Sequence, residues 1–346
     1  MQAYKAKLCF VASLIITSAL IFAGCSYPRV PVIKDDPGAE VFGVEFSPDN
    51  REILIRYSGD SEYQIGDLAQ IRDSKTGRLS RTLKGSSASF FKDSNHVAIS
   101  AGKGLQIWDI KSGRLLRIQK GIGDIKLSRD GKILAYWSGE KSIALINTRT
   151  WRKQHTLREY SGSMSTAFSS DGRFFASGGG DTGSGPTPLS NSLSVWNVQT
   201  GKLQWVIKGI EQQFFAVAFS PDGKVLATGG QEGLALRSAQ TGKLLRPVYS
   251  DGGAYTHSIA FSPDGKVLVT AHSGGDALRV MLREMKTGRI IRNLSDHAGI
   301  VNVVAFSPDG TLLATGGSDN TVDIWEAKSG KLLVIIGRRE YPNPFS

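Results

Sequence analysis

Residues 294–336 read LSDHAGIVNVVAFSPDGTLLATGGSDNTVDIWEAKSGKLLVII, and the rest of the chain repeats their pattern. Runs that are short and rich in valine, isoleucine, leucine and threonine predict β-strands. This segment contains four such runs, at about 300–306, 311–315, 321–326 and 331–336. Ser307-Pro308-Asp309-Gly310 separates the first two runs, because proline sets φ at the second position of a type I turn and glycine accepts the left-handed conformation that follows. The segment therefore predicts a unit of four short strands joined by tight turns.

The turn after the first strand recurs along the chain. The residue that ends the first strand is predicted at Phe46, Phe91, Leu127, Phe168, Phe219, Phe261 and Phe306, at spacings of 45, 36, 41, 51, 42 and 45 residues. The position that needs a positive φ holds only asparagine or glycine, at Asn50, Asn95, Gly131, Gly172, Gly223, Gly265 and Gly310. Because these two residue types tolerate a left-handed backbone best, the recurrence predicts seven copies of one unit.

A second turn lies between the third and fourth strands of each unit. In six units it contains a glycine, at Gly77, Gly113, Gly201, Gly242, Gly288 and Gly330. The third unit has Trp151 instead, which predicts a different type of turn there. The position five residues before this glycine holds Trp108, Trp196 and Trp325 in three units and Arg72, Arg237 and Arg283 in three others. An arginine that is buried there needs hydrogen-bond partners, since burial without them is costly.

The template resembles a WD40 repeat in the order of Asp296-His297, the turn after Phe306, Ser318-Asp319 and Ile324-Trp325-Glu326. The resemblance covers about residues 41–337 and implies an all-β, seven-bladed β-propeller with four antiparallel strands in each blade. Closing the ring removes most free sheet edges. The last unit has its own fourth strand, so closure does not require an N-terminal strand, and whether residues 27–33 add to an edge stays open.

The WD40 resemblance also implies a buried His–Ser/Thr–Asp–Trp hydrogen-bond network that stiffens a blade. Only the last unit matches it fully, through His297, Thr315, Asp319 and Trp325. The other units lack a histidine at the matching place, so we expect their blades to be less rigid.

The N-terminus has the pattern of a secretory signal. Lys5 and Lys7 precede an apolar run from Leu8 to Ala23. The run has about 16 apolar or small residues, fewer than the roughly 20 that span a bilayer. It ends in Phe22-Ala23-Gly24-Cys25, which resembles a bacterial lipobox.

The lipobox resemblance implies cleavage before Cys25 and acylation of this residue. Residues 1–24 would then be a signal peptide and residues 25–40 a lipidated tether, held stably on a membrane by several acyl chains. By resemblance to enterobacterial sorting, Ser26 favours the periplasmic side of the outer membrane. The alternatives are an uncleaved membrane anchor and an ordinary secretory signal with an incidental cysteine. Residues 338–346 predict a disordered tail.

Composition narrows the possible chemistry. Both cysteines, Cys9 and Cys25, precede the repeats, which therefore contain no disulfide, thiolate metal site or cysteine nucleophile. The chain has 42 lysines and arginines and 31 acidic residues, for a formal net charge of +11. This charge raises the question of a nucleic-acid partner, which we do not expect outside the cytoplasm. Much of it lies in the turns between third and fourth strands, as either a solvated mixed-charge rim or a surface near anionic lipid.

Two long insertions lie between the second and third strands of units one and four, at residues 58–68 and 178–192. Loops on a rigid ring often carry binding function, although surface insertions are also tolerated without one. If these loops bind a partner, the expected contacts are Tyr63, Asp181, Pro188 and Leu189.

The repeat resemblance implies a scaffold that binds a protein or peptide and catalyses no reaction. We expect no cofactor or metal ion, and a monomer is favoured. The five histidines have no paired spacing on one strand. The alternative is a propeller enzyme or small-ligand binder that works in the central channel. Its candidate residues lie on first strands, at Glu45, Lys126, His257 and Asn302.

Overall fold

The computed structural model describes thirteen segments of the chain. They are residues 30–33, 37–59, 67–102, 104–119, 123–137, 142–158, 163–179, 191–208, 213–231, 233–248, 255–274, 279–294 and 296–337. The proposed signal peptide, Cys25 and the proposed tail at 338–346 lie outside these segments. Residues from Pro31 onward belong to one compact unit, and its described elements are all β-strands.

Seven sheets of four antiparallel strands follow one another along the chain, and we call them blades 1 to 7. Blade 1 contains β2 (Val41–Phe46), β3 (Glu52–Tyr57), β4 (Leu68–Asp73) and β5 (Leu79–Lys84). Blade 2 contains β6 (Ser87–Phe90), β7 (His96–Ala101), β8 (Gly104–Asp109) and β9 (Arg114–Gln119). Blade 3 contains β10 (Ile125–Leu127), β11 (Ile133–Trp137), β12 (Ser142–Asn147) and β13 (Lys153–Arg158). Blade 4 contains β14 (Ser163–Phe168), β15 (Phe174–Gly179), β16 (Ser192–Asn197) and β17 (Leu203–Lys208).

The last three blades have the same plan. Blade 5 contains β18 (Phe214–Phe219), β19 (Val225–Gly230), β20 (Gly233–Ser238) and β21 (Leu244–Val248). Blade 6 contains β22 (Tyr255–Phe261), β23 (Val267–Ser273), β24 (Arg279–Glu284) and β25 (Ile290–Leu294). Blade 7 contains β26 (Val301–Phe306), β27 (Leu312–Gly317), β28 (Val322–Glu326) and β29 (Lys331–Ile336), and β1 (Val32–Ile33) adds a fifth strand to its outer edge. The predicted seven-bladed propeller is confirmed.

We name the strands of each blade a to d, from the channel to the rim. Strands a and c run in one direction and strands b and d in the other, so each face of the ring carries its own connections. The a–b and c–d turns lie on one face, which we call the turn face. The b–c loops and the connections between blades lie on the opposite face, which we call the loop face.

The core consists of seven apolar clusters, one between each pair of neighbouring blades. The cluster between blades 7 and 1 closes the ring, and it includes Val41, Ile53 and Ile324, all fully buried. The side-chain amide of Asn302 adds a hydrogen bond of 3.1 Å to the carbonyl oxygen of Val41 across this boundary. Because each sheet is covered on both sides by its neighbours, no blade has a core of its own.

The rim has a set of ties between blades that the sequence did not reveal. In blades 1, 3, 4, 5 and 6, a side-chain nitrogen of the third residue of strand d contacts a carbonyl oxygen in the c–d turn of the next blade. Two examples are Arg81 Nε to Ile110 O at 3.0 Å and Trp205 Nε1 to Ala239 O at 2.8 Å. In blade 3, His155 Nε2 lies 2.9 Å from Gln199 O. These side chains cover the turn glycines, where an added Cβ would collide with them.

The first turn of blade 2 differs from the prediction. Strand β6 ends at Phe90, which is buried, and not at Phe91. The left-handed residue is Ser94, with φ of 57°, and not Asn95. The pattern misled us because Phe91 occupies the place of the serine whose hydroxyl bonds to the turn aspartate in the other blades, as Ser47 does with Asp49 at 2.7 Å. Two adjacent phenylalanines left the register of this turn ambiguous.

The prediction of a different turn at Trp151 is also wrong. Trp151 has φ of 57°, and its backbone N–H donates to Asn147 O at 2.7 Å, as the glycines do in the equivalent turns. The left-handed conformation costs a residue with a Cβ roughly 1–2 kcal/mol. The indole is half-buried against the core between blades 2 and 3, and the guanidinium of Arg117 lies 5.0 Å from its ring centroid. These contacts offset the strain.

The arginines at the tryptophan position find partners in the c–d turn. Arg72, with no exposed surface, donates to Gln70 Oε1 from Nε at 2.9 Å and to Gly77 O from one terminal nitrogen, also at 2.9 Å. Arg237 and Arg283 reach the equivalent glycine carbonyl oxygens at 3.4 Å. The guanidinium thus replaces the indole and secures the turn.

Candidate functional site

The central channel encloses a cavity of about 980 Å³ that is lined by the innermost strands of all seven blades. Two of the four channel residues proposed from the sequence hold neighbouring blades together. Glu45 Oε1 accepts hydrogen bonds from Ser89 Oγ and from the Phe90 backbone N–H, both at 3.0 Å. Asn302 makes the closing bond to blade 1. Their polar groups are therefore used in joining the ring.

Serine hydroxyls serve the same purpose at other blade boundaries. Ser87, Ser165 and Ser258 accept from backbone N–H groups of the next blade, each at 3.1 Å. Lys126 lines the cavity from blade 3, whereas His257 lies on blade 6, three blades further along the ring. Within the described segments, no three His, Cys, Asp or Glu side chains are placed to share a metal ion.

His257 belongs to an aromatic cluster at the loop-face mouth of the channel. Its ring stacks on Phe215 with centroids 5.8 Å apart, and the ring of Tyr255 lies 6.5 Å away. The imidazole Nε2 contacts the hydroxyl of Ser273 at the end of strand β23. Burial lowers the pKa of His257, which favours the uncharged ring at neutral pH. Tyr255 is 42% exposed, so the cluster presents an aromatic surface to solvent.

A cation lies at the same mouth, on blade 1. The guanidinium of Arg56 lies 5.0 Å from the ring centroid of Phe42 and donates to Ser87 Oγ at 3.4 Å. Burial lowers the pKa of Arg56, and the nearby carboxylates of Glu45 and Asp124 oppose this shift. Residue 43 must be small here, because a Cβ on Gly43 would lie 2.1 Å from Arg56 Nε.

The mouth therefore combines aromatic rings, the half-buried Arg56 and the exposed carboxylate of Asp124 on a rigid ring. Sequence reasoning identified His257 and missed Phe42, Arg56, Phe215 and Tyr255. The available signal was alternation: residues at every second position of strand a face the channel. The contribution of Arg56 from strand b was not visible in the pattern.

The two longest b–c loops are those predicted. Ten residues separate Tyr57 from Leu68 in blade 1 and twelve separate Gly179 from Ser192 in blade 4, against two to five in the other blades. Both loops begin and end on the loop face. The proposed contacts within them lie outside the described residues, at Tyr63, Asp181, Pro188 and Leu189.

The four residues of the proposed network are close together in blade 7. His297 Nδ1 lies 3.0 Å from Asp319 Oδ2, and His297 Nε2 lies 2.7 Å from Thr315 Oγ1. Trp325 Nε1 donates to the same threonine hydroxyl at 2.9 Å. Burial opposes ionisation of Asp319, but hydrogen bonds from His297, the Ala298 N–H and a neighbouring hydroxyl outweigh it and lower its pKa to about 2.

Blade 6 contains a histidine–threonine pair that the sequence analysis missed. His272, which is 3% exposed, lies 2.7 Å from Thr270 Oγ1 through Nε2 and 3.2 Å from Thr256 Oγ1 through Nδ1. Thr270 occupies the place of Thr315 in its blade. The histidine comes from the end of strand b and not from the connection between blades, so it does not match the repeat pattern.

Comparison with known proteins identifies the repeats. The family model for the WD domain, G-beta repeat, matches residues 151–184, 201–235 and 288–326. The chain is 28% identical over 131 residues to the WD repeat-containing protein SL1-17 of Schistosoma mansoni, which covers 36% of this chain and 40% of that protein. It is 39% identical over 79 residues to small ribosomal subunit protein RACK1y of Oryza sativa subsp. japonica, over 21% of this chain and 23% of that protein.

A third match, to apoptotic protease-activating factor 1 of Rattus norvegicus, is 27% identical over 169 residues and covers 46% of this chain and 13% of that protein. The chain thus spans less than half the length of these relatives. The described residues contain no helix that is long and apolar enough to cross a membrane. Three segments of the chain thus match WD40 repeats, and its described strands form a seven-bladed β-propeller. WD40 propellers typically serve as protein-interaction scaffolds.

Proposed function

We propose that this chain is a lipid-anchored scaffold of the bacterial envelope. It binds a protein or peptide partner at the loop-face mouth of the channel and catalyses no reaction. The observation that carries the binding role is the cluster of Phe215, Tyr255 and His257 beside the Phe42–Arg56 pair. Aromatic side chains and arginine supply most of the binding energy at protein interfaces.

The ring supports this role by its rigidity. Several polar side chains of the channel wall are used in bonds between blades, as Glu45 and Asn302 are, so the wall is held in one arrangement. A partner then meets a preorganised surface and does not have to order it on binding. The long b–c loops of blades 1 and 4 begin and end on the same face.

The lipid anchor is proposed from the N-terminal sequence. The lysines and apolar run before Cys25 have the composition of a lipoprotein signal. Acylation of Cys25 would place a monomeric ring on a membrane, with the periplasmic side of the outer membrane favoured. Cys25→Ala should release the protein from membranes or stall its processing, as membrane fractionation will show.

The binding role is tested by photocrosslinking in intact membranes, followed by mass spectrometry of the captured proteins. A crosslinking residue at Tyr255 should capture one partner reproducibly, and Phe215→Ala should reduce that capture. Leu116→Ala is the matched control, because Leu116 is 53% exposed on the outer strand of blade 2, away from the channel. Loss of capture with the control but not with Phe215→Ala would place the binding surface on the rim.

The long loops are tested separately. Deleting residues 183–188 should leave the circular dichroism spectrum unchanged and weaken capture of the same partner. If capture is unchanged, the loop of blade 4 makes no contact with it. A small molecule that copurifies with the ring, with no protein captured, would instead favour the channel as a ligand or enzyme site, since its volume suits a small ligand.

A further inference from the structure

The turn face carries a concentration of positive charge in its c–d turns. These turns contain thirteen lysines and arginines and four acidic residues, a net charge of +9. All thirteen basic residues are exposed, and in the described part of the chain none forms an ion pair within 4.0 Å. They are Lys75, Arg78, Lys111, Arg114, Arg149, Arg152, Lys153, Lys202, Lys243, Lys286, Arg289, Lys328 and Lys331.

The a–b turns on the same face do not cancel this charge. They contain seven basic and seven acidic residues, several of them paired within one turn, such as Lys132 with Asp130 at 3.3 Å. The opposite face carries exposed residues of both signs where it is described, Glu40, Asp67 and Asp124 and also Lys84, Arg158 and Lys208. Among the described residues, the excess of positive charge is therefore concentrated on the turn face.

Strand β1 shows from which face the chain enters the ring. It pairs in parallel with β29, with Val32 opposite Ile335 and Ile33 opposite Ile336. The backbone N–H groups of Ile335 and Gly337 donate to Pro31 O at 2.9 Å and to Ile33 O at 2.8 Å. Strand β29 leaves a c–d turn and runs towards the loop face. A parallel strand must do the same, so the chain enters β1 from the side of the turn face.

The pairing also shortens the tether. If the chain were free up to Val41, fifteen residues would separate Cys25 from the ring. Docking of β1 leaves only residues 26–30 between Cys25 and Pro31, which reach about 20 Å at full extension. Ile33 lies beside the c–d turn of blade 1, since a Cβ on Gly77 would lie 3.1 Å from Ile33 Cγ1. The full reach of about 20 Å is about twice the Debye length of about 8–10 Å.

We propose that the turn face rests on an anionic lipid surface, with the c–d turns contacting phosphate headgroups and the loop face pointing away towards the partner. This orientation rests on the lipid anchor proposed above. The occupant is a lipid surface because the charge is spread over all seven blades and does not converge on one pocket. Such a pattern fits a flat array of negative charges, each basic residue adding roughly five-fold to the affinity.

The orientation is tested by labelling two positions in blade 5. Gln240 in the c–d turn and Gln231 in the b–c turn are both exposed, on opposite faces. The only native cysteines are Cys9 and Cys25, so the acylated mature chain accepts a thiol fluorophore only at Gln240→Cys or Gln231→Cys. The lipidated protein is reconstituted into vesicles that contain phosphatidylglycerol and a headgroup-linked quencher.

We expect at least three-fold stronger quenching at position 240 than at 231. The difference should shrink in 1 M salt and in phosphatidylcholine vesicles, because it arises from charge. Equal quenching, or stronger quenching at 231, would overturn the proposal. Mass spectrometry of the N-terminal peptide from the same sample reports acylation. A missing acyl group would refute the lipid anchor. In that case the uncleaved apolar segment holds the protein on the vesicle, and the two labels still report which face of the ring meets the membrane.

A charge comparison supplies the second readout. Lys75→Gln with Arg78→Gln removes two charges from the turn face, and Lys84→Gln with Arg158→Gln removes two exposed charges from the loop-face ends of β5 and β13. The first pair should weaken the salt-sensitive contact with anionic vesicles, measured as quenching of the label at position 240, by roughly ten-fold or more. The second pair should leave it within two-fold. Equal effects of the two pairs would contradict a turn-face contact.

Discussion

Replacing Thr315 by valine tests the buried hydrogen-bond network of blade 7. The hydroxyl of Thr315 lies 2.9 Å from Trp325 Nε1 and 2.7 Å from His297 Nε2. Thr315 itself is fully buried, and Trp325 is 5% exposed. Valine keeps the shape of the side chain but removes both bonds, so the indole N–H and the imidazole nitrogen lose a partner that water cannot easily replace.

The size of the effect follows from these two groups. A buried polar group that loses its partner costs about 1–3 kcal/mol, so Thr315→Val should destabilise the protein by about 2–6 kcal/mol. For a ring of this size, the entropy of unfolding converts each kcal/mol into about 1.5 °C, which gives a fall in Tm of about 3–9 °C.

The matched control is Thr228→Val in blade 5. Thr228 occupies the same place in its strand and is 2% exposed, but its hydroxyl has a single long bond of 3.4 Å to Ala235 O. This change should cost at most about 1 kcal/mol. Differential scanning calorimetry gives both Tm values, and amide hydrogen exchange shows whether the loss of protection centres on blade 7. If the two variants lower Tm equally, the network contributes nothing beyond the burial of one methyl-sized group, and our reasoning is refuted.

Three further predictions concern other positions. The pKa of Asp319 is about 2 in the folded state and about 4 when unfolded, so its contribution of about 2 kcal/mol to stability is present above pH 4 and is lost as the pH falls towards 2. Asp319→Asn should therefore weaken the dependence of Tm on pH between pH 4 and pH 2. An unchanged slope of Tm against pH would contradict this. Trp151→Gly relieves a left-handed residue but removes the indole beneath Arg117, so we expect a net loss of about 1 kcal/mol in urea unfolding; a gain would show that strain dominates. Gly43→Ala should displace Arg56 and reduce photocrosslinking of the partner while Tm changes by less than about 2 °C, and full capture would exclude Arg56 from the interface.

The first turns of the blades show how well local turn chemistry predicts the structure. Six of the seven first turns were placed correctly, because proline, aspartate and glycine act within four residues and need no tertiary contact. The first turn of blade 2 was misplaced by one residue, because Phe90 and Phe91 both suit the end of a strand. Local preference failed again at Trp151, which adopts the conformation of glycine because packing against Arg117 compensates for the strain.

The candidate site was less accessible from sequence. His257 was found as a residue of an innermost strand, but its neighbours Phe215 and Tyr255 acquire meaning only when blades 5 and 6 are side by side. Arg56 reaches the channel from a second strand, which no periodicity in strand a indicates. The sequence proposed Glu45 and Asn302 as candidates for chemistry in the channel, but each is hydrogen-bonded to the next blade.

The amino-acid sequence by itself determined the number of blades, the order of strands and the position of most turns, because each depends on residues close together in the chain. Only the tertiary structure decided how the blades are tied, which side chains form the mouth of the channel, and how β1 joins the edge of blade 7. These features depend on contacts between residues that are tens to hundreds of positions apart, as between Val41 and Asn302. Ring closure brings such residues together, and no local pattern records which of them will meet.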